Sequence, residues 1–291
     1  MVIWSHLSCN LKAMERKNIG IIGIGRIGEV HLCHLVQSAQ VNVTYLVDIE
    51  PVHGKIRNLV KQYGLQNVKV INTEEVTHML SDKLLDAVLI CSPVFGKPHK
   101  KSELVKFALQ AGKHVFCEKP VDLDPSVVEE CYKLAEDHRK TLQCGFDKRF
   151  DISIRKMYDK IKAGDLGELR MIKLVARELP AWINADYLKS SGGIVVDSAI
   201  HELDLICWLS GERPESAVCF GHAKNPMFKE CNDVECAMIM LKFPSGLVGY
   251  IENVRGVPYG YDQRFEVKHH VKFYLMKSFS TLSLLNTAPN H

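Results

Sequence analysis

The sequence predicts an α/β protein in which a doubly wound parallel sheet is followed by an α+β domain with a mostly antiparallel open sheet. In the first half, apolar strand-like runs alternate with amphipathic helical segments, which is typical of a parallel sheet covered by helices on both faces. Beyond residue 146, strands follow one another with few helices between them, which favours antiparallel pairing. We therefore expect two domains, at residues 1–146 and 147–291.

The elements of the first domain are short buried strands, each followed by a helix. The predicted strands are NIGIIGIG, VNVTYLVD, VKVIN, DAVLICS, HVFC and TLQCGF. The helices between them are predicted to end near Ser38, Gln62, Asp82, Gly112 and Arg139. Runs this short and this apolar fit strands that are covered on both faces.

The second domain is predicted to begin with a helix at about 152–163 and the strand LRMIKLVARE. A helix in SGGIVVDSAIHELD, residues 191–204, comes next. The strands that follow are SAVCFGHA, ECAMIMLKF, LVGYIENV and RFEV. Successive strands of this kind predict a second, mostly antiparallel layer.

The helix at 191–204 carries charged residues that suggest chemistry. Asp197, His201 and Asp204 fall at i, i+4 and i+7 and share one helical face. The residues predicted to face the core are Ala199, Ile200, Leu203 and Ile206. Two acids and a histidine on one face fit either a solvated polar stripe or the wall of a binding cleft, so the rest of the chain must decide.

Composition excludes several classes of function. The chain has 291 residues, of which 46% are hydrophobic and 24% charged, as in an ordinary globular protein. A net charge of +3 gives no support for binding to nucleic acid or to a membrane surface. No apolar run approaches the ~20 residues of a membrane span. The start, MVIWSHLSCNLK, lacks the basic region of a secretory signal, whereas an organellar transit peptide stays open because the first acid is Glu15.

The ten cysteines raise the question of disulfides or a metal site. They include no CxxC pair, and Cys231 and Cys236 lack a second ligand pair at zinc-like spacing. Several lie in apolar strand-like runs, where cysteine behaves as a small hydrophobic residue. We therefore expect reduced thiols, no metal and a cytoplasmic protein.

The segment GIGRIG, residues 23–28, fits the G-x-G-x-x-G pattern. It follows a predicted strand and opens a helix, and an acid, Asp48, ends the next strand 20 residues after Gly28. In such a site the glycines allow a tight turn, approach of the backbone to a pyrophosphate and close helix packing. The combination predicts a dinucleotide-binding Rossmann domain rather than a glycine-rich turn without a ligand. The residues expected to contact the dinucleotide are Gly23, Gly25, Arg26, Ile27, Gly28 and Asp48.

Asp48 also bears on which dinucleotide is bound. Its carboxylate is expected to accept hydrogen bonds from the ribose hydroxyls of the adenosine. A 2′-phosphate there would meet Asp48 and Glu50, with no arginine adjacent in sequence. The sequence therefore favours NAD over NADP.

Glu118, Lys119 and Pro120 follow the strand HVFC. Residues just beyond the carboxyl ends of parallel strands face the ligand of a doubly wound sheet. Lys119 fits such a position, although an exposed surface lysine after a strand is common. Pro120 ends the strand and fixes the backbone beside the lysine.

Five segments in a fixed order give the chain a wider resemblance. They are GIGRIG at 23–28, SPVFGKPH at 92–99, GKHVFCEKP at 112–120, QCGFDKRFD at 143–151 and SGGIVVDSAIHELD at 191–204. Together they resemble the glucose-fructose oxidoreductase/inositol dehydrogenase (Gfo/Idh/MocA) family of NAD(P)-dependent sugar dehydrogenases. With YGYDQR at 259–264, the likeness within the family is greatest to the inositol 2-dehydrogenases. It spans about Lys17 to Val267.

The resemblance implies that Lys119, Asp197 and His201 form the catalytic group. Oxidation of a secondary alcohol needs a base near neutral pKa, for which histidine is suited. Asp197 would orient the imidazole, and Lys119 would supply positive charge to the developing alkoxide. The polar face of the helix at 191–204 is then expected to look into the cleft between the domains.

The resemblance also implies further contacts with cofactor and substrate. Further cofactor contacts are expected from Ser92, Pro93, His99, Glu118 and Lys119. Substrate hydroxyls are expected to meet Lys119, Arg149, Asp197, His201, Asp204 and Tyr261. Arg149, Asp204 and Tyr261 equally fit structural roles, in a domain-boundary ion pair, a helix stripe and strand packing. Where the family often has two arginines, this chain has Lys148 and Arg149.

The two ends depart from the family pattern. Residues 1–13 are expected to be an extra leader before MERKNIGIIG, and the tail 268–291 does not resemble the expected continuation. We therefore expect a second domain that is incomplete at its C-terminal end and that could form a homo-oligomer through its sheet. The favoured function is an NAD-dependent dehydrogenase of a cyclic polyol or sugar, myo-inositol first, with His201 as general base. The alternatives are a truncated, non-catalytic NAD-binding isoform and a relative that acts on another sugar or carbonyl substrate.

Overall fold

A computed structural model describes residues 16–178, 183–258, 260–269 and 273–278 of the chain. The chain divides between Gly145 and Phe146 into two units. The expected leader 1–13, Tyr259 and the end of the tail, 279–291, lie outside the described residues.

The first unit is built on a six-stranded parallel sheet with the order β3-β2-β1-β4-β5-β6. This is the strand order of the Rossmann fold, as predicted. The strands are β1 (Lys17–Ile22), β2 (Val41–Asp48), β3 (Lys69–Asn72), β4 (Ala87–Ile90), β5 (His114–Cys117) and β6 (Leu142–Cys144). The helices are α1 (Arg26–Val36), α2 (His53–Gln62), α3 (Val76–Ser81), α4 (Lys101–Gln110) and α5 (Pro125–Asp137).

Both faces of this sheet are buried, because successive side chains of a strand point to opposite faces. One core cluster takes Ile22, Val47 and Ile90 from the three central strands. The cluster on the other face takes their neighbours Ile21, Leu46 and Leu89. The strands therefore read as continuous apolar runs, which is the pattern that predicted them.

The second unit contains a six-stranded mixed sheet with the order β12-β11-β7-β10-β9-β8. Only β7 and β10 pair in parallel among these strands, so the prediction of a mostly antiparallel sheet is confirmed. The strands are β7 (Leu169–Glu178), β8 (Ser216–His222), β9 (Cys236–Lys242), β10 (Val248–Arg255), β11 (Asp262–His269) and β12 (Phe273–Ser278). No strand was predicted at β12, which pairs antiparallel with β11.

Five α-helices are described in the second unit. They are α6 (Ile152–Lys162), α7 (Ala185–Ser191), α8 (Gly193–Asp197), α9 (Ile200–Ser210) and α10 (Pro226–Glu230). Alternate residues of β9 and β10, such as Ile239 and Ile251, pack against Leu205 and Ile206 of α9 in a single core cluster. Within the described ranges, no helix is long and apolar enough to cross a membrane.

The segment 191–204 is not the single helix that its periodicity predicted. Asp197 ends α8, and α9 begins only at Ile200. Gly192, with φ of 86°, separates α7 from α8 in the left-handed region that glycine adopts without strain. The acid and the histidine therefore belong to different helices, and only His201 and Asp204 share α9.

Candidate active site

The GIGRIG turn has the geometry that its spacing predicted. Gly23 has φ of +92°, and a Cβ there would lie 2.7 Å from the backbone nitrogen of Ser92. A Cβ on Gly28 would overlap the carbonyl oxygen of Gly23, so the helix approaches the strand too closely for any side chain. By contrast, a Cβ on Gly25 would meet no protein atom within 4 Å. The second glycine thus borders open space at the amino end of α1, where a pyrophosphate would fit.

Asp48 lies beside this turn and is hydrogen-bonded to its backbone. Its Oδ2 accepts a hydrogen bond of 2.6 Å from the backbone N–H of Ile24, and its Oδ1 accepts one of 2.7 Å from Ile49. A carboxylate oxygen can accept more than one hydrogen bond, so both oxygens keep capacity for ribose hydroxyls. Arg26 is exposed and Ile27 half-buried on the first turn of α1.

The loop after β4 adds an unsatisfied hydroxyl to the same edge of the sheet. The Oγ of Ser92 is buried and has no hydrogen-bond partner among the described residues. Pro93 is exposed, and the half-buried His99 packs edge-on against Phe107 with ring centroids 5.3 Å apart. A buried hydroxyl without a partner is what a polar ligand would satisfy, and it supports a ligand site at this edge.

Glu118 and Lys119 follow β5 on the same edge. The Nε2 of His31 lies 2.7 Å from Glu118 Oε1, and Lys101 Nζ donates to the Glu118 carbonyl oxygen over 3.1 Å. Burial lowers the pKa of the Lys101 ammonium. Lys119 is half-buried, and its bond to Pro120 is cis. The predicted cofactor residues at the end of β2 and beyond β1, β4 and β5 thus lie at one edge of the first unit.

In the second unit, Asp197 is buried within a charged network. Arg255 Nη2 donates to Asp197 Oδ2 over 2.5 Å, and the Tyr187 hydroxyl donates to Oδ1 over 2.6 Å. Burial and the adjoining Asp197 carboxylate raise the pKa of the Tyr187 phenol. Arg255 also donates to Asp233 over 3.1 Å, and Asp233 accepts the backbone N–H of Ile194 at the start of α8. This network fixes the position of Asp197.

His201 lies on the first turn of α9 with 18% of its side chain exposed. Its Nδ1 is 3.4 Å from Asp147 Oδ1. The ring packs edge-on against Phe146, with centroids 6.3 Å apart. The imidazole thus contacts an aromatic ring and a carboxylate and keeps part of its surface exposed, as proton exchange with a ligand would require.

Arg149 and Asp204 form a bidentate ion pair with each other. Arg149 Nε donates to Asp204 Oδ2 over 2.7 Å, and its Nη2 contacts Oδ1. The guanidinium also lies 5.7 Å from the ring centroids of Phe146 and Trp208. The pair ties the 3-10 helix Asp147–Phe150 to α9, so these residues have at least the structural role that the sequence left open.

The second unit also contains a cavity of about 640 Å³. Tyr261, Asp147, Lys148 and Glu202 line it from different elements. Burial, together with the carboxylates of Glu202 and Asp147 among others, raises the pKa of the Tyr261 phenol. A neutral phenol in such a wall can donate or accept a hydrogen bond.

Both units of the chain match models of one known protein family. Residues 17–146 match the model of the Gfo/Idh/MocA "Oxidoreductase family, NAD-binding Rossmann fold", and residues 154–269 match its C-terminal domain. The chain belongs to the Gfo/Idh/MocA oxidoreductase family. Its first unit is accordingly an NAD-binding Rossmann domain.

Relatives in the Gfo/Idh/MocA family include inositol dehydrogenases. The chain is 32% identical to "Myo-inositol 2-dehydrogenase" of Thermotoga maritima, over 86% of this chain and 72% of that protein. It is also 32% identical to "Inositol 2-dehydrogenase" of Rhizobium meliloti, over 85% and 72%. A structure of scyllo-inositol dehydrogenase from Lactobacillus casei with bound NAD(H) and scyllo-inositol superposes with a TM-score of 0.79. That match has 25% identity and covers 90% of this chain and 76% of the other.

Sequence reasoning missed several residues in and around this candidate site. The core face of α9 consists of Glu202, Leu205, Ile206 and Leu209. Leu205, Ile206 and Leu209 follow Glu202 by three, four and seven residues, so all four share one helical face. An acid within an apolar face is a signal that the sequence itself contained. Ile200 and Leu203, which were predicted in the core, are only half-buried. Arg255, by contrast, lies 58 residues from Asp197, and no local pattern links the two.

Proposed function

We propose that this protein oxidises a secondary alcohol of a cyclic polyol or sugar, with myo-inositol as the favoured substrate and NAD as the oxidant. The observation that carries the proposal is His201, partly exposed on the first turn of α9 and next to Asp147, which lines the cavity of the second unit. His201 also lies four residues after the fixed carboxylate of Asp197. In this proposal the first unit binds NAD and the second unit binds the substrate.

The role of His201 is to take the hydroxyl proton of the substrate. When bound, NAD accepts the hydride that leaves the carbon bearing this hydroxyl group. A carboxylate near Nδ1, here Asp147, favours a proton on that nitrogen, and the proposal therefore assigns the base to Nε2. The negative charge of Asp197 would stabilise the imidazolium that results.

Other residues of the proposal bind rather than transfer protons. Lys119 would stabilise the developing alkoxide by its charge. Arg149, Asp204 and Tyr261 would offer hydrogen bonds to hydroxyl groups of the substrate. For Arg149 and Asp204, this requires that atoms of the ion pair be shared with the substrate, since each already bonds the other.

The preference for NAD over NADP rests on Asp48. Its carboxylate lies against the backbone of the glycine turn, and Glu50 follows two residues later. A 2′-phosphate at this position would be repelled by both acids. An Asp48→Ala variant should lose NAD affinity or gain use of NADP, and a variant that does neither would refute the assignment.

The choice of a cyclic polyol is supported by relatives named for myo- and scyllo-inositol oxidation. The direct test uses myo-inositol deuterated at each ring carbon in turn. Transfer of deuterium to NAD from one position, with a slower rate for that compound, is the expected result. Turnover of sugars but not of myo-inositol would show that the substrate is a sugar instead. NAD binding without turnover of any polyol would favour the non-catalytic alternative.

The proposal includes a homo-oligomer formed through the second sheet. Val218 and Phe220 of β8 stand directly opposite Met240 and Met238 of β9, and at least half of each of these four residues is exposed. A contiguous apolar patch of this kind marks an interaction surface. A Phe220→Asp variant should run as a smaller species than the wild type in light scattering after size exclusion. An unchanged mass would contradict the interface.

A cytoplasmic location completes the proposal. It rests on the cysteines, of which Cys117 and Cys131 are buried in the core of the first unit as small apolar side chains. Burial raises the pKa of the thiol of Cys131. Fractionation of cells that express the tagged full chain would test the location.

A further inference from the structure

Glu202 has a carboxylate oxygen that no described residue satisfies. The residue is 2% exposed, on the core face of α9. Its Oε2 is buried and has no hydrogen-bond partner within the described part of the chain. A buried acceptor left in this state is costly, so native structures almost always give such an atom a partner.

The other oxygen of Glu202 is firmly held. Oε1 contacts the ammonium of Lys148, which also donates to Gln263 Oε1 over 2.5 Å. Lys148 lies in the 3-10 helix Asp147–Phe150 and Gln263 lies in β11, so three elements converge on this point. The contacts fix the carboxylate and balance its charge. Oε2 therefore offers a rigid acceptor in a locally neutral pair.

The same three side chains line the cavity of about 640 Å³ in the second unit. Tyr261 and Asp147 form another part of its wall, and Asp147 is the residue beside His201. The cavity thus extends from the neighbourhood of the proposed base to the buried carboxylate. Its size is within the range of small-molecule binding pockets.

We propose that Glu202 is a specificity-determining residue whose Oε2 accepts a hydrogen bond from a ring hydroxyl of the substrate, away from the oxidised carbon. This inference rests on the proposed function and adds to it a residue that selects neutral, multiply hydroxylated ligands. An ionised carboxylate can only accept, so its partner must be a donor. A cationic donor is disfavoured because Lys148 already balances the charge of Glu202. A deprotonated anion is excluded because it has no hydrogen to donate. A neutral hydroxyl satisfies both conditions.

The first experiment measures kcat, KM and the Kd of myo-inositol for the wild type and for Glu202→Gln. Replacing the carboxylate by an amide removes the charge-assisted acceptor while keeping the shape. We expect KM and Kd to rise about tenfold or more, with kcat changed less than about twofold and NAD affinity unchanged. The matched control is Glu212→Gln, which removes the same charge two residues past the other end of α9, where Glu212 accepts the backbone N–H of Ser245. The control should leave all four quantities unchanged.

A second variant guards against misfolding. Glu202→Gln leaves the ammonium of Lys148 without its charge partner, which could destabilise the unit by itself. The double variant Glu202→Leu with Lys148→Met removes both charges and keeps the volume. It should melt near the wild-type temperature and still bind myo-inositol about tenfold more weakly or worse.

A series of monodeoxy-inositols, each lacking one ring hydroxyl, identifies the hydroxyl that Glu202 binds. One of them should bind the wild type about tenfold more weakly than myo-inositol and should bind wild type and Glu202→Gln equally. If the wild type oxidises myo-inositol while both Glu202 variants keep its KM, the inference fails and the proposed function stands, with a buried water as the partner of Oε2. If the wild type binds NAD but neither binds nor oxidises any polyol, the proposed function fails and the inference fails with it.

Discussion

Arg255 should be the most important single ionic residue for the stability of the second unit. Its side chain is fully buried and bridges two carboxylates, those of Asp197 and Asp233, whose side chains are 9% and 6% exposed. Replacing it by methionine preserves most of the volume but leaves both carboxylates buried without their counter-charge. Loss of one partner from a buried ion pair costs about 3–5 kcal/mol, and Arg255→Met should fall in this range. Arg255→Lys should lose less, because it keeps the charge but not the two-armed fork.

Denaturant unfolding followed by tryptophan fluorescence would measure this loss. Trp208 stacks on Tyr158 in the core of the second unit, with ring centroids 4.0 Å apart, and so reports on that unit. Lys242→Met is the control and should leave the transition unchanged, because the Lys242–Glu215 pair is also short, at 2.6 Å, but is exposed. Adding Asp233→Asn to Arg255→Met should restore part of the stability. An Arg255→Met protein within about 1 kcal/mol of the wild type would refute the reasoning.

Three further predictions follow from the first unit. Gly28→Ala should destabilise the protein by about 1–3 kcal/mol because its Cβ would overlap a backbone carbonyl oxygen. Gly25→Ala should instead leave thermal stability unchanged and weaken NAD binding at least about tenfold in calorimetry. Equal behaviour of the two variants would contradict the geometry. The lowered pKa of buried Lys101 means that the unfolded chain binds more protons between the folded and unfolded pKa values, so stability rises with pH there. Lys101→Met should therefore raise the melting temperature at neutral pH and lose that advantage as the pH approaches the ordinary lysine pKa; a constant difference would contradict the assignment. Burial raises the pKa of Cys91 to about 12, so peptide mapping after alkylation near neutral pH should find it labelled at least about a hundredfold more slowly than the exposed Cys219, and equal labelling would be inconsistent with that burial.

The strands of the first unit were predictable because both faces of its sheet are buried. Apolar runs such as NIGIIG and DAVLI then carry a strong local signal, and the glycine turn adds a second. The segment 191–204 was harder. Its 3.6-residue periodicity continues through Ser198 and Ala199, where the backbone breaks between α8 and α9. The break shifts the buried face, so that Asp197 and Glu202 are buried while Ile200 and Leu203, which the periodicity placed in the core, are half-buried.

The candidate site divides in the same way. Asp197, His201 and Asp48 could be predicted as site residues because each sits at a fixed spacing within a local motif. Arg255 at the end of β10 and Gln263 in β11 lie 58 and 115 residues from their partners Asp197 and Lys148. The pairing of β7 with β10 and β11 positions both strands. Such partners depend on tertiary packing, which a single sequence does not encode as a pattern. The edge strand β12 was missed for a similar reason, since it is defined by its pairing with β11.

The most direct test of the central claim is NADH formation by the purified full chain with NAD and myo-inositol, for the wild type and His201→Ala. NAD binding is measured in parallel, and the exposed His138→Ala serves as control. The account predicts wild-type turnover, a loss of about 10²-fold or more in His201→Ala with unchanged NAD affinity, and wild-type rates in the control. Turnover that survives in His201→Ala would show that another group removes the proton. Tight NAD binding with no turnover in the wild type would contradict the dehydrogenase function itself.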